Sequence, residues 1–457
     1  MWPFRSASAQ TLSAYDLARR HFGPVQIEAL TILERTFPQR IRPDLQLALD
    51  EVVRDFQIQH FCGVQAQYHE PASLSNCLTM IDETFRPRCT PPQYQEVDIG
   101  DETPVRCLNS GLWMLNSGTH QLALLLSPAG RFGEVTGLRV EMAGLDCSET
   151  HEIVNRVFRR LETAINQARS YRGKILSLEQ NEHDYRGRQS GIRVHRLRCV
   201  SREEIILPAK TLTLLDRNVI GFMNQRDKLR ERRLSTRKGI LFYGPPGTGK
   251  THCIHYLTRA IPGTTTLLIT AEQVGLLEEY MTLARLLQPS IVVIEDADLI
   301  ARDREQMGSA CGEALLNKLL NQMDGLTEDA EIMFILTTNR PEMLEPALAG
   351  RPGRIDQAIE FPLPDEAGRR QLAAMYAGGV EVPPPLLDQI VRKTDGMSAA
   401  FMKELMRRSY QFQLERQCQD ALTIADVDAA IEEMLFAGGE LNRTLLGASA
   451  HAIGFKP

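Results

Sequence analysis

The segment GILFYGPPGTGKT, Gly239 to Thr251, decides how the rest of the chain is read. Its apolar start, Ile240 to Phe242, predicts a buried parallel strand. Gly244, Pro245, Pro246, Gly247, Thr248, Gly249, Lys250 and Thr251 then satisfy G-x-x-x-x-G-K-[ST] in full. Glycines in such a loop let the backbone curl until its N–H groups point inward at phosphate. The following HCIHYLTRA predicts a helix whose positive N-terminal end faces the same phosphates. Lys250 is expected at the β- and γ-phosphates and Thr251 at Mg²⁺, with His252 completing the binding set. Downstream, IVVIEDAD (Ile291 to Asp298) predicts a second buried strand, expected beside the first. Its C-terminal acids, Glu295 and Asp296, then fall where open α/β sheets bind ligands.

The bulk numbers suit a soluble globular protein of two or three domains. The chain has 457 residues, 43% hydrophobic and 24% charged, with a net charge of −6. That balance argues against a dedicated nucleic-acid binder. Nine dispersed cysteines form no C-x-x-C, so neither a zinc site nor a thioredoxin-like motif is indicated, and a reducing compartment is expected. No uninterrupted apolar run approaches the length of a membrane span, so neither a span nor a signal peptide is expected, and the location expected is cytoplasmic.

Residues 1–204 read as a separate mixed α/β domain. PDLQLALDEVVRDFQ (43–57) puts Leu45, Leu49, Val52 and Phe56 on one helical face. VRCLNSGLWML, THQLALLLS and GLRVEMAG predict short strands, with Trp113 in the core, before a helix over 149–169. Residues 180–204 predict a hairpin or connector. The basic run MNQRDKLRERRLSTRKG reads as a solvated helix and loop, with an acidic or nucleic-acid partner as the alternative. His252 and His255 have no acidic or cysteine partner at ligand spacing, so packing or exposure is favoured over metal binding. Cys253 reads as a small buried hydrophobe.

The phosphate loop, the acid-ended strand and ILTTNRPEMLEPALAGRPGRIDQAIEFPLPD (335–365) together resemble the AAA family of ring-forming ATPases. The resemblance spans residues 205–437. It implies a P-loop α/β core over 205–362, a helical lid over 363–437 and a tail over 438–457. It also implies ATP and Mg²⁺ as cofactors, and a homo-oligomer, a hexamer by family habit. By position, Glu295 joins Thr251 at the metal, Asp296 activates water, and Asn339 is the polar sensor beside that water. Arg351 and Arg354 resemble the arginines that reach a neighbour's site. Ile220 and Gly221, in NVIGF, resemble the adenine-pocket entry.

Three departures qualify the resemblance. The acids run Glu then Asp, where most family members have Asp then Glu; this order is similar to the branch of the mitochondrial Rieske-protein translocase. AEQVGLLEEYM (271–281) has Gln273 where unfoldases carry an aromatic, and Tyr280 is expected to pack inward. PALAGRPGR carries one residue more than the commoner spacing before Arg351. The reading that follows is an ATP hydrolase that remodels a protein client recruited through residues 1–204. A slow ATP-gated switch or scaffold is one alternative, and a nucleic-acid-associated ATPase is another.

Overall fold

The computed structural model describes residues 13–23, 27–66, 71–79, 86–131, 134–179, 191–299, 318–319, 321–348, 354–379, 382–416 and 421–437. The chain divides into two compact units: Met1–Arg172 with Ser177–His195, and Gly173–Leu176 with Arg196–Pro457. The second unit therefore begins before the boundary at 204 read from the sequence, and it takes in residues 173–176.

In the first unit six strands form one sheet, in the order Leu30–Pro38, Glu134–Leu145, His120–Arg131, Gly111–Ser117, Gln57–Gln65 and Arg88–Thr90. All five pairings are antiparallel. One face packs Leu112, Met114, Ala123 and Leu125 against the helix Ala14–Phe22 and the short helix Leu74–Leu78. Trp113 is buried, as its place in an apolar strand predicts. Helix Arg42–Val53 buries Leu45, Leu49 and Val52. It stops before Phe56, which is only half-buried, because the strand Gln57–Gln65 begins there. Helix Ser148–Gln167 buries Val154, Val157, Phe158, Leu161 and Ile165.

In the second unit a parallel sheet carries the site. Strand Lys238–Tyr243 lies between Ile332–Thr338 and Gln357–Glu360. Ser290–Ile294 lies between Thr265–Ile269 and Ile332–Thr338. The acid-ended strand is thus not beside the phosphate-loop strand, as the sequence suggested; Ile332–Thr338, fully buried along its length, separates them. Two apolar strands can both be central while a third intervenes, and hydropathy does not order them. Beyond Thr265–Ile269, residues Ile175 and Leu176 pair in parallel. The helical lid follows: Glu366–Tyr376, Pro384–Lys393, Ala399–Glu415 and Ile424–Glu432. It buries Leu372, Ile390, Phe401, Leu405 and Val427 in its own core. Asp365 and Ser398 cap two of these helices through their side chains, satisfying N–H groups that helix ends leave unpaired.

Candidate active site

The phosphate loop leaves the strand at Gly244 and enters the helix Lys250–Ala260. Two of its glycines are demanded by the fold. Gly244 has φ +145°, and a Cβ there would lie 2.2 Å from the carbonyl oxygen of Phe361. Gly247 has φ +74°, and a Cβ would meet the Cβ of Ala400 at 2.9 Å and Ser398 Oγ at 3.0 Å. The lid therefore seats directly on the loop, and the Ala400 N–H donates to the Gly247 carbonyl at 3.0 Å.

Lys250 is buried and ties the centre together. Its ammonium donates to the carbonyls of Gly244 (2.8 Å) and Pro245 (3.0 Å) and to Asn339 Oδ1 (2.8 Å). Burial pulls its pKa down to about 8, against the opposing pull of Asp296 and Asp298. The amide of Asn339 donates in turn to Asp296 Oδ1 at 3.2 Å. The intervening strand makes this possible: Tyr243 is level with Thr338, and Ile294 with Leu336. Asn339 therefore emerges between the loop and the acids.

Asp296 adopts φ +47°, a left-handed conformation to which aspartate is better suited than most residues. Its N–H is held by Thr337 Oγ1 at 3.0 Å. The turn points Asp296 into the cavity. Glu295, expected at the metal, does not line that cavity; its charge acts instead on the imidazole of His255. The strand ends at Ile294, and both acids lie in the turn that follows it. Asp298, to which the sequence reading gave no role, is buried. One oxygen of its carboxylate accepts from the Thr338 hydroxyl at 2.9 Å and from the Asn339 N–H at 3.2 Å. No local signal marks it, since its partners lie in another strand.

Pro246 to Thr251, Asp296, Thr337 and Asn339 line a cavity of about 360 Å³ together with the apolar Ile205, Ile206, Leu207, Leu372 and Ala400 and with Glu204, His252, Tyr376 and Lys403. Ile220 and Gly221, expected to form the adenine pocket, do not line it. They belong to a π-helix, Asp216–Gly221, that continues helix Ala209–Leu215 and packs into the core beneath the sheet. Ile205 to Leu207 line the cavity instead, and their signal was the apolar run stopped by Pro208.

Arg351 lies outside the described residues. Arg354 does not face outward: it is buried, and its guanidinium holds the Asp324 carboxylate of the same chain at 2.5 Å. Tyr280 is fully buried and donates to Gln273 Oε1 at 3.0 Å, as expected for a packing role. Cys253 is also buried, and burial pushes its thiol up to about 12. Much of the basic run is engaged internally. Arg226 donates to Glu331 at 3.2 Å, Arg230 to Asp227 at 2.9 Å, Arg237 to two main-chain carbonyls, and Lys238 to Asn218 at 2.9 Å.

Comparison with known proteins places the site in context. Residues 240–363 match the ATPase family associated with various cellular activities (AAA). The chain is 32% identical over 210 residues to the proteasome-activating nucleotidase of Methanothermobacter thermautotrophicus, covering 43% of this chain and 51% of that protein. It is 32% identical over 238 residues to the ATP-dependent zinc metalloprotease FtsH 2 of Symbiobacterium thermophilum, covering 48% and 39%. It is 31% identical over 192 residues to the 26S proteasome regulatory subunit S10B homolog B of Arabidopsis thaliana, covering 39% and 48%. The chain thus spans about half or less of the length of these relatives.

Proposed function

Residues 240–363 being an AAA ATPase domain, we propose that this protein binds Mg-ATP, hydrolyses it between copies of itself in a ring, and uses lid motion to remodel a protein client. The observation that carries the reading is the continuous link from Lys250 through Asn339 to Asp296 inside one cavity. Phosphoryl transfer needs positioning and charge neutralisation more than covalent help. Lys250 supplies the buried cation. Asp296, steadied by Asn339, is the acid placed to orient a water. Releasing Lys250 from Gly244 and Pro245 to phosphate oxygens exchanges neutral acceptors for charged ones, which favours ligand binding.

The residues fit Mg²⁺, which takes one or two protein oxygens beside substrate phosphates. Thr251, exposed on the cavity wall, and Asp296 offer those oxygens, whereas Glu295, the expected ligand, does not line the cavity. Bound there, the ion would neutralise phosphate charge. Arg351 is the arginine we assign to the neighbour's site, in a hexamer, whereas Arg354 anchors its own loop through Asp324. Ala271–Leu276 is a 3-10 helix, and Tyr280 packs inward from the helix after it, so handling of a folded or locally opened client suits this chain better than threading. The client would be bound by the first unit, in the cytoplasm. The chain carries no His-Glu-x-x-His, so the protease part of the FtsH name is not carried over.

Asp296→Asn tests the assignment. Nucleotide binding should persist while turnover falls by about two orders of magnitude or more. Turnover at the parent rate would remove Asp296 from the reaction.

A further inference from the structure

Asp296 carries its carboxylate on a short side chain, so the place of that carboxylate is set mainly by the main chain beneath it. There the main chain takes φ +47°, in the left-handed region. Such a conformation is costly for a residue with a Cβ and persists only where the surroundings hold it. Hydrogen bonds on either side fix the turn. The Glu295 N–H donates to the Ile269 carbonyl at 2.9 Å, and the Leu299 N–H donates to the Asp296 carbonyl at 2.8 Å. The Asp296 N–H donates to a side chain instead, Thr337 Oγ1, at 3.0 Å. Ile294 is level with Leu336, so Thr337 comes level with the start of the turn. The residues before it in the strand, Ile332 to Leu336, are all apolar, and Thr337 is itself buried. Valine would suit such a strand equally well, being as branched at Cβ and close to threonine in size. What threonine adds is the hydroxyl, and that hydroxyl meets the Asp296 N–H. Without it the N–H loses its acceptor and the left-handed turn loses a tie.

We infer that Thr337 is a positioning residue for ATP hydrolysis: its hydroxyl holds Asp296 in the left-handed turn that brings a short acid into the cavity. This deepens the reading of Asp296 above and rests on it. Consecutive residues at the end of one strand then divide the work. Thr337 holds the main chain of Asp296, Asn339 holds its carboxylate, and Thr338 between them donates to Asp298. The Thr337 hydroxyl acts on the main chain of the acid and needs no contact with the nucleotide. Its loss therefore shows in turnover and leaves affinity alone. Relaxation of the turn swings the Cα–Cβ bond of Asp296, and a displacement of about 1 Å at a reacting group can lower a rate about a hundredfold.

The test uses the full-length protein, with ATP turnover, calorimetric titration of ADP and a thermal melt on each variant. Thr337→Val, which keeps the shape and removes the hydroxyl, should lower kcat about ten- to a hundredfold while ADP affinity stays within about twofold of the parent. Thr337→Ser, which keeps the oxygen, should stay within about threefold of the parent kcat, and Thr337→Ala should fall with the valine variant. The Ser and Ala variants supply the same comparison if the valine variant does not fold. In Asp296→Asn protein, whose slow turnover is read by release of labelled phosphate, adding Thr337→Val should cause no further loss, because both changes disable one group. A folded Thr337→Val protein that keeps the parent kcat overturns the inference and leaves Asp296 in its role. A loss that ADP affinity shares, or that multiplies with the loss from Asp296→Asn, overturns it in favour of a merely structural threonine. A parent that hydrolyses no ATP, or Asp296→Asn protein that turns over at the parent rate, overturns the reading of Asp296 and the inference with it.

Discussion

Asp298 links the fold to the proposed chemistry, and removing its carboxylate is expected to damage both. One of its oxygens takes the Thr338 hydroxyl and the Asn339 N–H together. Thr338 is fully buried, so Asp298→Ala leaves a hydroxyl and a main-chain N–H competing for acceptors that the interior does not supply. Hydrogen bonds to a charged group are worth about 1.5–3 kcal/mol each, and shared acceptance by one oxygen places the pair near the lower end, about 3 kcal/mol in all. For a unit of this size that corresponds to a fall in Tm of roughly 6–12 °C. Asn339 would also lose the anchor that holds its amide between Lys250 and Asp296. Turnover should therefore fall about ten- to a hundredfold even at temperatures where the variant is fully folded. Asp298→Asn keeps one acceptor oxygen and should lie between variant and parent on both scales. Differential scanning calorimetry and phosphate release on the same preparations read the two effects. An Asp298→Ala protein that melts within a degree of the parent would refute the buried-bond account. One that is destabilised but turns over at the parent rate would refute the positioning role.

Other outcomes follow from the same geometry. Lys250 titrates near pH 8 when the site is empty, and phosphate favours its charged form. Nucleotide affinity should thus be flat below about pH 8 and fall up to about tenfold per pH unit above it, read by titration at constant ionic strength. Arg354→Ala removes the guanidinium that holds the Asp324 carboxylate and empties a buried site. Discounted because Asp324 is half-exposed, the loss should be about 2 kcal/mol of stability in a thermal melt, whereas Arg351→Ala should lose turnover with Tm unchanged. Because Arg226, Arg230, Arg237 and Lys238 are engaged within the chain, DNA or RNA at low salt should leave ATP turnover unchanged.

The sequence made legible what local chemistry determines. Gly244, Gly247 and Gly249 all take positive φ, and the helix begins at Lys250, as the spacing of the phosphate loop required. The buried strands around Ile240–Phe242 and Ile291–Ile294 were equally plain. What was hidden is long-range. Nothing local says that Ile332–Thr338 passes between those strands, yet that crossing puts Asn339 at the centre. Ile205–Leu207 line the cavity and Ile220 and Gly221 do not, because their segment, with Val219, is taken into the core by a π-helix. Asp298, to which the sequence reading gave no role, is sealed by partners some forty residues on. Residues 175–176 joined the parallel sheet beside Thr265–Ile269, a pairing that hydropathy does not encode.

We propose that each site needs Asp296 from one copy and Arg351 from the next. The decisive test mixes Asp296→Asn with Arg351→Ala protein and reads ATP turnover per protomer at concentrations where the parent rate has levelled. Each variant alone should be nearly inactive. In a randomly mixed equimolar ring about a quarter of the interfaces bring both intact residues together, so the mixture should recover about a quarter of the parent rate. A mixture as silent as its components, or an Arg351→Ala protein that keeps the parent rate alone, would contradict the claim.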